Sequence, residues 1–434
     1  MNRDFRILLT EGSSLSARQT LTALGPLGYS IDVCDPRPAW CLARFSGYVR
    51  KLFRCPPFDL DPAGYLAFLA ARLKSDRYDV LFPVHDQAYL LARFRDDLAP
   101  LAGLAVPPFD VVRRMQSKAE FIRVLDELAL PHPETVICAA SADISSDVRV
   151  PAYLKLAHST AGCGVWRLSN WRELESLLAR LPQGPGRELL IQQPARGAFC
   201  VAQSVFQQGR LVAAHCYQAR AQGVGGSAWA RSSVSHPAVI GHLERIGRHL
   251  AWHGALMLDY FYDPDAGPAY VDSNPRIGET VNAFKSGVNL CEALVRVSRG
   301  DEVERYPEAR VGVRTHSLMM KLMALAQQTR SRSRLIAELG RAWSTRDEYE
   351  SSEEELTPFG DDRRSLIPAA YLAMKLLLAP ASADRLVRQT VENYALSEAG
   401  VERIAKLSCD AIVQGSPGGV AAQQQAEAEA RQRD

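Results

Sequence analysis

Paired cysteines are missing from this chain. Its nine cysteines, at 34, 41, 55, 138, 163, 200, 216, 291 and 409, are odd in number, scattered, and form no CxxC. That argues against a disulfide frame or a zinc site and for single buried thiols in a reducing compartment. An excess of one charge is missing as well. With 51 Lys+Arg against 49 Asp+Glu the net charge is +2, and no strong basic run marks the chain, so nucleic acid is not an expected partner. Long apolar runs are also absent. The opening "MNRDFRILLTEG" is too short in its apolar part for a signal peptide. "LIPAAYLAMKLLLAP" (366–380) carries Lys375 and two prolines, short of the ~20 apolar residues that span a bilayer. The expectation is a cytoplasmic protein with no membrane partner, a surface role for 366–380 being the minor alternative. Finally, there is no GxxxxGK[ST], and the first turn reads "TEGSSLSAR" rather than GxGxxG. A P-loop enzyme and a dinucleotide enzyme are both disfavoured.

What is present suits a soluble chain of two or three domains: 434 residues, 47% hydrophobic and 23% charged. "FRILLT" (5–10), "YSIDVCD" (29–35) and "YDVLFPV" (78–84) read as strands with helices between them, which implies a parallel, Rossmann-like layer over 1–112. Its strand ends, including His85 and Asp86, are expected to face a cleft. From about 113 the pattern changes. "SKAEFIRVLDELAL" (117–130) is a helix with Ser117 as N-cap. "PAYLKLA" (151–157) is a strand followed by a small-residue loop, "ELLIQQPARG" (188–197) is a strand leaving through a proline, and 199–220 is a hairpin turning at Gln208–Gly209. Residues 301–414 read as mostly helical, interrupted by the acidic stretch 346–358, which reads as a solvated loop. Residues 415–434 are low in complexity and expected to be disordered.

Chemistry concentrates in "ALMLDYFYDPDAGPAYVDSNPR", two β-runs around an Asp/Gly/Pro turn. If the hairpin closes symmetrically, Tyr262 pairs with Ala269 and Asp259 falls opposite Asp272, with Asn274 on the same face as Asp272. Facing carboxylates destabilise a sheet unless neutralised. With an amide oxygen they make a hard-oxygen set suited to Mg²⁺. A solvated hairpin end with a capping Asn and a surface Arg276 is the competing reading. Lys118 begins its helix, and Lys155 lies inside an apolar strand, where a buried ammonium needs an anion. After it, Ser159, Thr160, Gly162 and Gly164 make a loop able to close over phosphate. Cys163 in that loop reads as a small filler rather than a nucleophile.

Taken in order over roughly 5–300, "SK" at 117–118, "YLKLAHSTAGCGV", "LIQQPARG", "MLDYFYD" and "VDSNPRIGETVNAFKSGVNLCEAL" resemble the ATP-grasp superfamily, near its carbamoyl-phosphate-synthetase-like and carboxylate–amine ligase branches. The resemblance implies a Rossmann-like layer (1–112), a two-part ATP-grasp domain (113–300) and a C-terminal, mostly helical region (301–414). It implies ATP and Mg²⁺, with Mn²⁺ possible in its place. Lys118 and Lys155 match phosphate-binding lysines. Gln193 and Ala195 match hinge positions that offer backbone groups to adenine. Asp259, Asp272 and Asn274 match the metal ligands, and Arg276 the arginine that steadies the γ-phosphate or acyl-phosphate. His215 and Arg220 lie where basic residues often approach the phosphates.

Two departures stand out: Asp272 and Gln193 replace the commoner Glu, and 198–204 holds no ribose-binding acid. The activity implied joins a small carboxylate, activated as an acyl-phosphate, to an amine, with Lys155 and Arg276 acting on the reacting phosphate; a homodimer is possible. A nucleotide-binding module without turnover stays open as the alternative, and an NAD-dependent enzyme as a remote one.

Overall fold

The computed structural model describes residues 5–139, 144, 149–159, 164–181, 188–223, 226–358 and 360–408. Thr160, Gly162, Cys163 and the expected disordered tail lie outside these residues.

The first sheet holds β1 (Arg6–Leu9), β2 (Ser30–Asp35), β3 (Val49–Arg54) and β4 (Val80–Phe82), all parallel in the order β3-β2-β1-β4. The three strands expected from sequence are there. The fourth, β3, was hidden because "VRKLFR" is an edge strand, half-exposed and studded with Arg50, Lys51 and Arg54; such charges protect an edge and blur the alternation that marks a strand. β1 passes through Glu11 into the helix Leu15–Leu24, capped by Ser14, whose Oγ accepts the Ala17 N–H at 3.0 Å.

A smaller antiparallel sheet contains β5 (Thr135–Cys138), β6 (Ala152–Leu156), β7 (Val165–Leu168) and β8 (Leu189–Gln192) in the order β5-β8-β6-β7. The helix Trp171–Leu178 closes its core, inserting Leu174 among Leu154, Leu168 and Ile191.

The third sheet has seven strands: β9 (Ala198–Gln207), β10 (Arg210–Gln222), β11 (Ala228–Val234), β12 (Gly254–Asp263), β13 (Gly267–Asn274), β14 (Arg314–His316) and β15 (Ser352–Glu354). Their order is β13-β12-β9-β10-β11-β14-β15. β9 and β10 turn at Gln208–Gly209 as the sequence implied. Both residues have positive φ, 50° and 86°, the geometry of the tight turn that matches strand twist. On one side of this sheet, Phe121 and Leu125 of the helix Lys118–Glu127 and Leu243 and Ile246 of the helix Pro237–His249 bury Leu256 and Tyr260. On the other, Leu290 and Leu294 of the helix Leu290–Arg299 join Val205 and Val212 to Ile7 and Leu9 of the first sheet.

Beyond residue 300 the chain is helical, as expected, over Leu318–Thr329, Arg332–Trp343, Leu366–Leu378, Ala383–Val391 and Glu398–Ala405, but it also supplies β14 and β15. The acidic stretch is therefore a solvated loop only in part: Asp347, Glu350 and Glu353 are exposed, but its far end forms β15 and turns inward. Glu355 is 0% exposed and Leu356 2%, because the buried Arg231 of β11 gives Glu355 a cationic partner. The helix Glu398–Ala405 and the residues just before it return to the first sheet, where Leu396 and Ile404 complete the core around Leu66, Tyr89 and Phe94. No helix among the described residues is long and apolar enough to cross a membrane.

Candidate active site

β12 and β13 bring Asp259 and Asp272 directly opposite each other. The hairpin closes one residue differently from the symmetric expectation, Tyr262 pairing with Pro268, and a bulge at Val271 restores the register. Asp272 is not alone: Lys118 Nζ lies 3.0 Å from its Oδ2 and donates to the Ser159 carbonyl at 3.1 Å. Lys118 can reach because Ser117 caps the helix and the Lys118 N–H binds the Ala157 carbonyl at 2.8 Å. Asp259 takes no hydrogen bond or ion pair among the described residues. Its burial and the facing Asp272 carboxylate push it up to about 7, with Arg276 and Lys118 opposing.

Lys155 arrives from the smaller sheet. Only 7% exposed, it donates to Gln192 Oε1 at 2.6 Å and to the Val271 carbonyl at 3.0 Å, bridging β6 to β13. Burial lowers its ammonium to about 8, the nearby Lys118 adding to that and Asp272 opposing it. Two neutral acceptors do not neutralise an ammonium, so the position favours an anion.

Arg276 sits two residues beyond Asn274. Its Nη2 donates to Asn274 Oδ1 at 2.9 Å, and its Nε donates to Asp86 Oδ1 at 2.9 Å. Asp86 belongs to the turn after β4, so this pair joins the hairpin end to the cleft of the first sheet. Beside it, His85 is 5% exposed and its imidazole is lowered by burial and by Arg276. Arg276 and Lys118 both pull the Asp259 carboxyl down, favouring its ionised form against burial and the facing Asp272.

The hard-oxygen donors suit a divalent cation. Asp259 has no partner among the described residues and is held up by its neighbour, and a cation would relieve that. Among the described residues no three His, Cys, Asp or Glu side chains form a metal-binding cluster, so the third oxygen would come from the Asn274 amide. The paired buried lysines suit phosphate in the same way.

The remaining predicted residues lie elsewhere. Gln193 is half-buried, its N–H taken by the Glu134 carbonyl at 2.9 Å and its Nε2 donating to the Arg149 carbonyl at 3.0 Å; Ala195 follows, half-buried. His215 is 1% exposed inside the seven-stranded sheet, opposite Gln203, and burial holds its imidazole down at about 3. Arg220 is at the surface, 3.7 Å from Glu348. Among the described residues, neither His215 nor Arg220 touches the carboxylate–lysine cluster.

Three residues near the cluster escaped the sequence reading. Gln192 receives Lys155 while donating to Thr135 Oγ1 at 2.9 Å; its position one residue before Gln193 in "IQQP" was the available signal. Glu279 raises Asp259 by its charge and is held by Arg231 Nη2 at 3.0 Å. Arg231, 2% exposed, had no local signal, since its partners Glu279 and Glu355 are far away in the chain.

No family model and no curated protein matches the chain in sequence. Solved structures match its fold. The biotin carboxylase domain of Hydrogenobacter thermophilus 2-oxoglutarate carboxylase, solved with MgADP, ADP and bicarbonate, superposes with a TM-score of 0.57 at 16% identity, covering 71% of this chain and 73% of its own. The L-amino acid ligase of Bacillus licheniformis gives 0.55 at 15% identity, over 70% and 76%. Carboxyaminoimidazole ribonucleotide synthase from Aspergillus clavatus, complexed with ATP, gives 0.56 at 15% identity, over 73% and 83%. The chain has the ATP-grasp fold.

Proposed function

We propose that the protein is an ATP-dependent ligase that activates a substrate carboxylate as an acyl-phosphate and joins it to an amine, releasing ADP and phosphate. The observation that carries this reading is the meeting of Asp259 and Asp272, directly opposed, with Lys118, Lys155 and Arg276 around them. ATP-grasp neighbours solved with ATP, ADP or MgADP lend support through the shared fold.

In this reading Lys118 and Lys155 hold the anionic phosphates from two different elements, so binding draws the smaller sheet onto the larger one. Their pre-set positions do the work that positioning and charge must do in phosphoryl transfer, where the protein needs no nucleophile. Arg276, oriented by Asp86 and Asn274, faces the oxygens that gain negative charge. Asp259, Asp272 and Asn274 would hold Mg²⁺, which when bound would supply positive charge to polarise the transferred phosphoryl group. Asp272 reaches one methylene less far than Glu, so a water would be needed to complete the shell of a bound ion.

A nucleotide-binding module without turnover is favoured by one observation: Asp272 is already ion-paired with Lys118. ADP release separates the two readings. Wild type and Asp272→Ala are incubated with Mg·ATP and pooled amino acids or small carboxylic acids. ADP release stimulated by one pool and lost in Asp272→Ala is the expected outcome. Release that persists in both Asp272→Ala and Asn274→Ala would sink the metal assignment. Silence in every pool, with Mg·ATP still raising the melting temperature, would favour the module.

A further inference from the structure

The first sheet changes winding direction between β1 and β4, the strands in its order β3-β2-β1-β4 that lead out of and back into the sheet on opposite sides. In open parallel sheets the crevice at such a point, outside the carboxyl ends of the strands, is where ligands bind. Here the C-terminal segment crosses that crevice. Asn393 Nδ2 donates to Ser13 Oγ at 3.3 Å, just past β1. The Tyr394 ring lies 4.3 Å, centroid to centroid, from that of His85, just past β4. Leu396 N–H donates to Asp86 Oδ2 at 3.1 Å. Beyond it the segment is anchored by Ser397 N–H on Asp59 Oδ1 at 2.8 Å, by Arg403 Nε on the Asp59 carbonyl at 2.7 Å, and by Arg93 Nη2 on the Leu407 carbonyl at 2.8 Å.

Asp86 thus serves both sides: Oδ2 accepts the strap backbone N–H, while Oδ1 accepts Arg276 Nε and faces His85 Nδ1 at 3.2 Å. Arg276 in turn holds Asn274. An unbroken run of hydrogen bonds joins the strap to the hairpin end. Burial raises the Tyr394 phenol, and the charges of Glu279, Glu11, Arg276 and Asp86 act on it as well.

We propose that residues 393–408 form a strap that walls the substrate end of the site, with Tyr394 as a specificity-determining residue for the non-nucleotide substrate and Asp86 as the positioning residue that couples strap docking to Arg276. The role of Tyr394 rests on the ligase reading; the Asp86 coupling does not. Leu396 and Ile404, buried in the core of the first sheet, keep the strap docked, while Asn393, Tyr394 and the Leu396 amide are the groups that meet the crevice itself.

Two measurements test this. The first is amide hydrogen exchange over 393–408 in the full-length wild type, Asp86→Asn and Arg276→Ala. The amide introduced by Asp86→Asn offers one carbonyl oxygen where two carboxylate oxygens were used, so exchange at Leu396 is expected to rise about tenfold or more. Coupling free energy is reciprocal, so Arg276→Ala must also speed exchange in the strap. Exchange within about twofold of wild type in Arg276→Ala would overturn the coupling, whatever the protein catalyses.

The second is ADP release with Mg·ATP and the single pool component that stimulates wild type. Tyr394→Ala is expected to raise KM for that component by about tenfold or more, with KM for ATP and kcat within about threefold; Tyr394→Phe, which keeps the ring, should stay near wild type. An unchanged KM in Tyr394→Ala overturns the wall assignment. Wild-type silence across all pools sinks the ligase reading and the Tyr394 role with it, and leaves the exchange result to decide the coupling.

Discussion

Arg231→Met is the substitution whose effect follows most directly from the packing. The guanidinium is 2% exposed and Glu355 is 0% exposed. Arg231 Nη1 donates to Glu355 Oε2, Nη2 donates to Glu279 at 3.0 Å, and the planar group lies 5.2 Å from the centre of the Tyr217 ring. Removing one partner of a buried ion pair costs about 3–5 kcal/mol, because the remaining charge stays desolvated. Glu355 would keep Thr315 Oγ1 at 2.6 Å and Gln19 Nε2 at 3.0 Å as donors, which places the expected loss near the lower end, about 3 kcal/mol. The double variant Arg231→Met/Glu355→Met removes both charges and is expected to recover at least about 2 kcal/mol of that loss. Urea unfolding followed by circular dichroism measures all three proteins and the Glu355→Met single variant needed for the cycle. A loss under about 1 kcal/mol in Arg231→Met, or a double variant as unstable as the sum of the singles, would refute the view that this buried pair ties β15 to the body of the sheet.

Lys155 gives a pH test. Its pKa is lowered from 10.5 to about 8 by burial, so between those values the unfolded chain holds a proton that the folded one has lost. This group therefore makes folding more favourable as pH rises through that window, while its attraction for phosphate fades. The melting-temperature increase given by Mg·ATP should shrink above pH about 8 and lose that inflection in Lys155→Arg; an inflection that survives the substitution would assign the effect elsewhere. Gly254 has φ 109°, and an added Cβ would sit 2.3 Å from the Ala105 carbonyl oxygen. Gly254→Ala is expected to cost at least about 2 kcal/mol in the same unfolding assay, and a neutral result would mean that β12 and the segment after the first sheet can separate.

What could be read from the sequence was local. Ser117 and the helix behind it, the Gln208–Gly209 turn and the two carboxylates of the hairpin each announce themselves within about a dozen residues, through capping, turn chemistry and alternation. Lys155 was legible because an ammonium in an apolar strand demands an anion. The missed features depend on partners distant in the chain. "ESSEEEL" looks solvated until Arg231 is placed under it. The basic edge strand β3 looks like loop until β2 is placed beside it. His215 looks like a phosphate contact by position alone; its burial is set by the layers stacked above and below β10, which no short window encodes.

The hairpin shows how a correct pairing can rest on a feature that side chains do not reveal. Symmetric closure would put Tyr262 opposite Ala269, but Asp263 Oδ1 accepts the Asp265 and Ala266 N–H groups at 2.9 and 3.2 Å, and Gly267 takes φ 80°. That tightens the turn and moves Tyr262 opposite Pro268. Carried to the strand end, a one-residue slip would send the Asp272 carboxylate to the other face of the sheet. Leaving Val271 unpaired in a bulge absorbs the slip, so Asp259 and Asp272 still oppose each other. The same residue presents its carbonyl to Lys155 Nζ at 3.0 Å. One apolar residue therefore both aligns the two carboxylates and receives the lysine from the other sheet, and it does so entirely through its backbone.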